Sequence, residues 1–282
     1  MIPVAFDYRR AGSAEEAVSL LTELGDDAKL LAGGHSLLPL MRLRLATPSV
    51  LIDVGRLTDL SYVRDEGDHV AIGALTRHRD IETSDVLAEQ VPILPTVAGH
   101  VGDPQVRHRG TIGGSLAHGD PASDLPAAVL ALGGTMVARG PGGERTIPAT
   151  EFFTGFLETA LAPDELLTEI RVPKAPGTTW SFQKFNRRAQ DWAIVGVAAV
   201  RHANGTSSSG GSARIALVNM GSVPLRAAAV EEAVAAGASA ADAAAMADQG
   251  TDPPADLNAS EEYRRHLAKV LVRRALIESG LS

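Results

Sequence analysis

The sequence predicts an α+β protein with a larger N-terminal domain, residues 1–175, and a smaller C-terminal domain, residues 176–282. Three observations support this prediction. Strand-like and helix-like patterns alternate through the first part of the chain. Two prolines and a glycine within 173–179 interrupt both periodicities, as is typical of a linker. Beyond the linker, three strand-like segments precede an alanine-rich region that favours helices.

Local signals place the elements of the N-terminal domain. Ser13, with a glutamate three residues later, has the spacing of a capping box and predicts a helix that ends at Gly25. Ser36 is predicted to cap a second helix over 37–45. A further helical stretch is predicted from Thr76, fraying into the proline-containing segment 91–101, and a separate helix rich in alanine and leucine is predicted to end at about Leu132. Strands are predicted over 30–32, 50–54, 69–74, 135–139, 144–147 and 166–172.

The C-terminal domain is predicted to combine an antiparallel sheet with helices. Its three strands are placed at 180–185, 193–201 and 213–218, with a flexible loop at 204–212. Alanine dominates 227–250, and its high helix propensity predicts two short helices. A final helix over 260–279 carries basic residues that are predicted to form a solvated face: Arg264, Arg265, Lys269, Arg273 and Arg274.

Composition excludes several classes of function. The chain has 282 residues and a formal net charge of −8, which argues against a general surface for nucleic acid or anionic membranes. It contains no cysteine, so it cannot ligate an iron–sulfur cluster through thiolates or use a thiol nucleophile. No stretch approaches the roughly 18 uninterrupted apolar residues of a membrane span, and the start lacks an apolar leader. We therefore expect a cytoplasmic protein with no membrane span.

Two glycine-rich segments share one pattern, a glycine pair with a small hydroxyl residue close behind. The first glycine segment spans 32–36 and the second glycine segment spans 111–115. Glycine lets backbone N–H groups approach a ligand with no Cβ in the way, and consecutive N–H groups bind anions. A pair of such loops suits a pyrophosphate. Neither segment matches G-x-G-x-x-G or G-x-x-x-x-G-K-[ST], which disfavours a Rossmann nicotinamide site and a mononucleotide P-loop.

These segments and their surroundings are similar to one known family. The matching stretches are FDY at 6–8, SAEEAVSLL at 13–21, LAGGHSLLPLMRLR at 31–44, ID at 52–53, GTIGGS at 110–115, DPASDL at 120–125, KFNR at 184–187 and DW at 191–192. They resemble the FAD-binding medium subunits of molybdenum-containing hydroxylases, most of all those of aerobic carbon monoxide dehydrogenases. The resemblance covers essentially the whole chain.

The resemblance implies a fold and a set of cofactor-binding residues. The fold is of the vanillyl-alcohol-oxidase (PCMH) type, in which two α+β subdomains enclose noncovalent FAD, followed by a domain with a three-stranded antiparallel sheet and helices. Asp124 is implied to accept hydrogen bonds from the cofactor, and Lys184 to place a positive charge near the flavin. The implied FAD-binding residues are Ala32, Gly33, Gly34, His35, Ser36, Val101, Thr111, Ile112, Gly113, Gly114, Ser115, Asp124, Leu167 and Lys184.

Three kinds of residue near these segments allow other interpretations. His35 has a counterpart in distant flavin oxidases that attach FAD covalently, although a backbone-contacting or capping role is favoured here. The spacings of His100, His108 and His118 match no ligand pattern, so no metal site is predicted. Trp192 is interpreted either as a residue that stacks on the flavin or marks an interface, or as a core residue.

Charged residues beside the second glycine segment also allow two interpretations. Arg107 and Arg109 either meet phosphates or an acidic partner surface, or are solvated loop residues. Asp103 and Asp120 are interpreted as turn and cap residues because they lie next to proline and glycine.

By resemblance, the chain is an electron-transfer subunit with no catalytic residues of its own. A large partner subunit with the molybdenum cofactor oxidises CO with water to CO2, and a small partner subunit relays electrons through [2Fe-2S] clusters. FAD in this chain then passes them to a quinone of the respiratory chain. The implied assembly is a dimer of heterotrimers, cytoplasmic or associated with the inner face of the cytoplasmic membrane.

Other functions remain open at this point. One alternative is the flavin subunit of a different molybdenum hydroxylase, of the xanthine, nicotinate or aldehyde type, because substrate identity lies in the molybdenum subunit. A self-contained flavin oxidase would need a substrate pocket over the flavin, and the segment 180–282 is short and alanine-rich. A regulatory or FAD-storage module is a third possibility.

Overall fold

A computed structural model describes residues 2–203 and 211–281 of the chain as an α+β structure with four sheets, which confirms the predicted class. The helices are α1 Ala14–Leu24, α2 Leu37–Leu43, α3 His78–Glu82, α4 Asp85–Gln90, α5 Ile93–Gly99, α6 Pro104–Arg109, α7 Ile112–His118, α8 Asp124–Leu132, α9 Ala149–Phe152, α10 Ala228–Ala235, α11 Ala240–Ala244 and α12 Glu261–Glu278. The strands are β1 Asp7–Arg10, β2 Ala28–Leu31, β3 Val50–Asp53, β4 Val63–Asp65, β5 His69–Gly73, β6 Thr135–Gly140, β7 Gly143–Pro148, β8 Phe153–Gly155, β9 Glu158–Thr159, β10 Leu166–Pro173, β11 Thr178–Phe185, β12 Val195–Ala203, β13 Gly211–Val218 and β14 Leu225–Arg226.

The first sheet is parallel and holds the start of the chain. Its strand order is β1-β3-β2, and α1 packs against it. The Ser13 hydroxyl accepts a hydrogen bond from the Glu16 amide at 3.1 Å, which confirms the predicted cap of α1. All four residues of β1 are exposed, so no apolar alternation marked this strand in the sequence.

The second sheet is antiparallel and carries the main core of the N-terminal part. Its order is β4-β5-β10-β6-β7, and the predicted hairpin of β6 and β7 is confirmed, with Gly140 opposite Gly143 at its turn. Every residue of α8 is buried. This helix packs on both β10 and the strands of the C-terminal sheet.

The helical stretch predicted from Thr76 onward is several short helices. α3, α4 and α5 follow one another, and the break before α5 falls at Pro92, immediately ahead of its first residue. The segment 91–101, expected to fray, therefore contains a complete short helix. α6, at Pro104–Arg109, was not predicted from the sequence.

The C-terminal sheet has the order β11-β12-β13-β14 and is antiparallel. The three predicted strands are present, and the additional fourth strand, Leu225–Arg226, is too short for a periodicity to reveal it. The loop predicted at 204–212 lies mostly outside the described residues. None of the described helices is both long enough and apolar enough to cross a membrane.

The prediction of a solvated basic face on α12 is wrong for Arg264. Its side chain is only 1% exposed and lies 2.8 Å from an Asp256 carboxylate oxygen. It also donates to the Ile194 carbonyl oxygen. Lys269 forms an ion pair with Asp248 at 2.7 Å. Periodicity located the helix, but the neighbouring loops decide which of its charges are buried.

Candidate cofactor-binding cleft

A cleft of about 880 Å³ lies where the first glycine segment, the second glycine segment and the C-terminal sheet meet. This volume falls in the range of cofactor and ligand pockets. The predicted site residues that line the cleft are Ala32, Gly33, Gly34, His35, Ser36, Val101, Thr111, Gly113, Gly114, Ser115, Asp124, Leu167 and Lys184.

Ile112 is the predicted site residue that the structure does not bring to the cleft. Its side chain is fully buried in the hydrophobic core, and its amide donates to the Thr76 carbonyl oxygen at 3.0 Å. Its place in the first turn of α7 turns it toward the core.

The first glycine segment offers backbone donors to the cleft. Within the described part of the chain, the amides of Gly33, Gly34, His35 and Ser36 donate to no protein acceptor. Gly34 has φ +78°, a left-handed conformation that favours glycine. Successive uncommitted N–H groups in such a turn form a concave anion site. This donor set fits a pyrophosphate.

The predicted capping role of Ser36 is wrong. Its backbone is helical, with φ −103° and ψ −51°, and its side chain makes no capping hydrogen bond. A capping side chain needs an extended backbone to reach the amides of the first turn. The Ser36 hydroxyl therefore remains part of the cleft wall, and α2 ends at Leu43, two residues earlier than predicted.

The second glycine segment is the start of a helix and not a loop. The Thr111 hydroxyl caps α7 by accepting from the Gly114 amide at 3.1 Å. The Gly113 amide donates to the Ala74 carbonyl oxygen at 2.8 Å. These amides are therefore committed within the protein. A Cβ on Gly113 would lie 2.5 Å from the Ala74 Cβ, so this glycine is required for close packing.

The two glycine segments are held together by backbone contact. A Cβ on Gly33 would lie 2.3 Å from the Arg109 carbonyl oxygen and 2.9 Å from the Gly110 Cα. The next residue along, Gly110, accepts a hydrogen bond from the His78 amide at 3.0 Å. Gly33 is thus needed for the packing of the cleft wall as well as for an open approach to the ligand.

His78 belongs to this wall and was missed in the sequence. It lines the cleft, is only 4% exposed, and its Nδ1 has no hydrogen-bond partner in the described structure. Burial lowers the pKa of His78 to about 4, and the nearby charges of His35 and Arg107 act in the same direction. The imidazole is therefore neutral at pH 7. Nothing in the sequence around it distinguishes His78 from a surface histidine.

Asp124 and Lys184 form a buried ion pair in the cleft wall. Lys184 Nζ lies 2.7 Å from Asp124 Oδ2, the two side chains are 4% and 6% exposed, and Nζ also donates to the His100 carbonyl oxygen at 2.9 Å. Burial raises the pKa of Asp124, and the Lys184 charge opposes that rise. The positive charge expected from Lys184 is therefore balanced locally. Asp124 Oδ1 has no hydrogen-bond partner among the described residues.

The structure decides several of the open interpretations. Trp192 is 58% exposed and lines the cleft, so the core interpretation is wrong. Arg107 pairs with Glu82 at 3.0 Å and donates to the Val101 carbonyl oxygen, so it supports the wall and is not a solvated loop residue. Arg109 is exposed at the end of α6.

The aspartates beside the second glycine segment have the predicted roles. Asp103 caps α6 by accepting from the Val106 amide at 2.9 Å. Asp120 accepts from the Ala122 amide at 2.8 Å in a turn. Among the described residues, no three or more histidines, aspartates or glutamates form a group that suits a metal ion.

Two family models match the chain. Residues 4–175 match the family described as FAD binding domain in molybdopterin dehydrogenase. Residues 180–279 match the CO dehydrogenase flavoprotein C-terminal domain. Together the two matches account for almost all of the chain.

Relatives are similar over nearly their whole length. The carbon monoxide dehydrogenase medium chain of Hydrogenophaga pseudoflava is 44% identical over 98% of this chain and 97% of that protein. The 6-hydroxypseudooxynicotine dehydrogenase complex subunit alpha of Paenarthrobacter nicotinovorans is 39% identical, over 99% and 96% respectively.

Solved structures share the fold. A carbon monoxide dehydrogenase structure from Hydrogenophaga pseudoflava matches with a TM-score of 0.95 and 44% identity, over 99% of this chain and 98% of the other. Quinoline 2-oxidoreductase from Pseudomonas putida 86 matches with a TM-score of 0.92 and 34% identity, over 99% and 98%. The chain therefore belongs to the FAD-binding medium subunits of the molybdopterin dehydrogenases, a family of multi-subunit oxidoreductases.

Proposed function

We propose that the chain binds one noncovalent FAD in the cleft and is the electron-transfer subunit of an aerobic carbon monoxide dehydrogenase. The observation that carries this proposal is 44% identity to a carbon monoxide dehydrogenase medium chain over 98% of the chain. The partners are a large molybdenum subunit and a small [2Fe-2S] subunit in a dimer of heterotrimers, with a quinone as acceptor. Residues 1–175 form the FAD domain and 176–282 the second domain.

Different residues of the cleft bind different parts of the cofactor. The uncommitted amides of residues 33–36 hold the pyrophosphate, and the second glycine segment supports them from behind. Val101 and Leu167 supply apolar walls that exclude water. When bound, FAD supplies the capacity to take up and release electrons.

The buried ion pair orients the cofactor. Lys184 holds the Asp124 carboxyl group in place, and Asp124 Oδ1 accepts a hydrogen bond from the cofactor. His35 is exposed and has no protein partner among the described residues. It contacts FAD without a covalent bond, so replacing it with alanine leaves FAD bound and releasable by acid.

A second candidate function has its own support. The chain is 39% identical to a subunit of a 6-hydroxypseudooxynicotine dehydrogenase complex and 34% identical to a chain of a quinoline 2-oxidoreductase structure. The chain therefore also fits the flavin subunit of a hydroxylase that acts on an N-heterocycle.

The deciding experiment uses the intact assembly, purified through a tag on this chain from its own cells. We expect CO, added without an oxidant, to bleach the visible absorbance of the flavin. Bleaching by an N-heterocycle or an aldehyde, and not by CO, would favour the second candidate. A tagged chain that carries flavin, has no partners and oxidises a substrate alone would overturn both.

A further inference from the structure

Exposed apolar side chains concentrate at the start of the chain. More of them lie within the first 45 residues than in any other described stretch of that length, and Ile2 and Leu45 are 82% and 73% exposed. Exposed apolar side chains that cluster on the surface of a protein often mark a site of interaction with another molecule. We define the N-terminal apolar patch as Ile2, Val4, Phe6, Tyr8, Leu43 and Leu45.

The sheet register brings these residues to one surface. The Asp7 amide donates to the Ser49 carbonyl oxygen at 2.8 Å, and β1 runs parallel to β3 from there. The residues immediately before β1 therefore lie next to those immediately before β3. In the patch, the residues before and within β1 occupy alternate positions, as on one face of an extended chain. β1 is also a sheet edge, because no described strand pairs with its outer side.

Arginines lie in and next to the segments that carry this surface. The Asp53 hydrogen bond raises the pKa of Tyr8, and the charges of Arg10 and Arg56 oppose that rise, which places both guanidinium groups near the ring. Among the described residues, none of the arginines in the first 56 residues forms an ion pair: Arg9, Arg10, Arg42, Arg44 and Arg56. The complementary surface is apolar and carries carboxylates.

Charge distinguishes the possible occupants. A second copy seated on the same patch would place arginines opposite arginines, which is unfavourable at close range. An anionic lipid surface is repelled by the net charge of −8 and is usually bound by an amphipathic helix, whereas this patch is largely extended chain. An apolar surface with a free strand edge suits a protein partner.

We propose that the N-terminal apolar patch is the docking surface for a partner chain of the assembly, one that presents apolar side chains flanked by carboxylates. This inference rests on the proposed function as a subunit. The patch is continuous with the cofactor site through α2, since Leu37 and Leu40 line the cleft while Leu38 and Leu43 are exposed. The partner therefore contacts the helix that directly follows the first glycine segment.

The test compares exposed apolar residues inside and outside the patch. The probe is the subcomplex of the large and small partner chains, recovered from the purified assembly after mild dissociation and recombined with the chain. We expect the double variant Phe6→Ser, Leu45→Ser to bind it about tenfold more weakly, or worse. The matched control Met246→Ser, Ile277→Ser changes exposed residues elsewhere and binds as the wild type does. Circular dichroism and Tm of each variant report on folding.

Charge-reversal variants and hydrogen exchange test the docking surface independently of the apolar variants. Arg10→Glu with Arg42→Glu weakens association and reduces its dependence on salt. Hydrogen exchange of the wild-type chain slows at 2–10 and 43–46 when the subcomplex is added. This measurement keeps the inference testable even if a variant fails to fold.

Failure of the docking proposal and failure of the proposed function give different results in these experiments. If the wild type binds the subcomplex and the patch variant binds it equally well, or if exchange at the patch is unchanged, the docking surface lies elsewhere. If the patch instead drives self-association or binding to phosphatidylglycerol vesicles, with partner affinity unaffected, the inference is overturned. If the wild type finds no such partners at all, it is the proposed function that fails.

Discussion

Replacing His78 with glutamine removes an imidazole whose burial makes the folded protein sensitive to acid. In the folded state its pKa is lowered from 6.5 to about 4, because burial disfavours the charged form. Between these two values the unfolded chain binds a proton that the folded chain does not. Stability therefore falls as the pH falls from 6.5 toward 4, and the stabilising contribution of the neutral imidazole is complete only above the unfolded pKa.

The size of this effect follows from the two pKa values. Between pH 7 and pH 5, His78 alone lowers the free energy of unfolding by about 2 kcal/mol. For a chain of this size that corresponds to a Tm lower by about 4–8 °C. The residue is almost completely buried, so solvent does not screen the effect.

The assay is the difference in Tm between pH 7 and pH 5, measured for the wild type, His78→Gln and His266→Gln. The pH dependence that comes from all other titratable groups is the same in the three proteins, so it cancels when their changes in Tm are compared. We expect His78→Gln to lose about 4–8 °C less than the wild type on acidification. The control changes an exposed histidine and should behave as the wild type does. Equal losses in all three proteins would refute the buried, neutral state of His78.

Two further predictions concern the cleft wall. Gly33→Ala places a Cβ 2.3 Å from the Arg109 carbonyl oxygen, so we expect this variant to bind clearly less FAD per chain, measured as flavin released on denaturation. The control Gly142→Ala adds its Cβ in open space and should bind as much FAD as the wild type. Full flavin in the Gly33 variant would contradict the packing of the two segments. Lys184→Met leaves Asp124 buried without its partner and should lower the free energy of unfolding in urea by about 3–5 kcal/mol. Adding Asp124→Asn should restore part of that loss, and an unchanged urea midpoint in the single variant would argue against the ion pair.

Signals from a few consecutive residues were sufficient to predict many of the helices and strands. A capping serine with a glutamate three residues on, as at Ser13, specifies a helix start whatever surrounds it, and the structure has that helix. The turn between β6 and β7 is likewise set by its own glycines and proline. Such features depend on a few consecutive residues, so they are visible in the sequence.

The second glycine segment shows what local signals cannot specify. A glycine pair has the same appearance in a sequence whether it exposes N–H groups to a ligand or admits a neighbouring backbone. At Gly113 the neighbour is Ala74, which lies far away in the sequence. The site residues Val101, Leu167 and Lys184 were predicted from the family resemblance alone, because no local pattern connects them.

Buried charges and histidines were also beyond local prediction. Arg264 lies on the same helix as the exposed Arg273 and Arg274, and only the contacts with Ile194 and Asp256 explain its burial. His78 is similar, because its environment is created by the close approach of Gly110. Burial of such groups depends on tertiary contacts between distant segments.

Native mass spectrometry of the tagged chain, purified gently from its own cells, tests the central claim most directly. We expect one FAD per chain, released by denaturation, in an assembly that also contains a large molybdenum subunit and a small iron–sulfur subunit. A chain recovered alone without flavin would contradict the assignment of the cleft. A chain recovered alone with covalently bound flavin would contradict its role as an electron-transfer subunit.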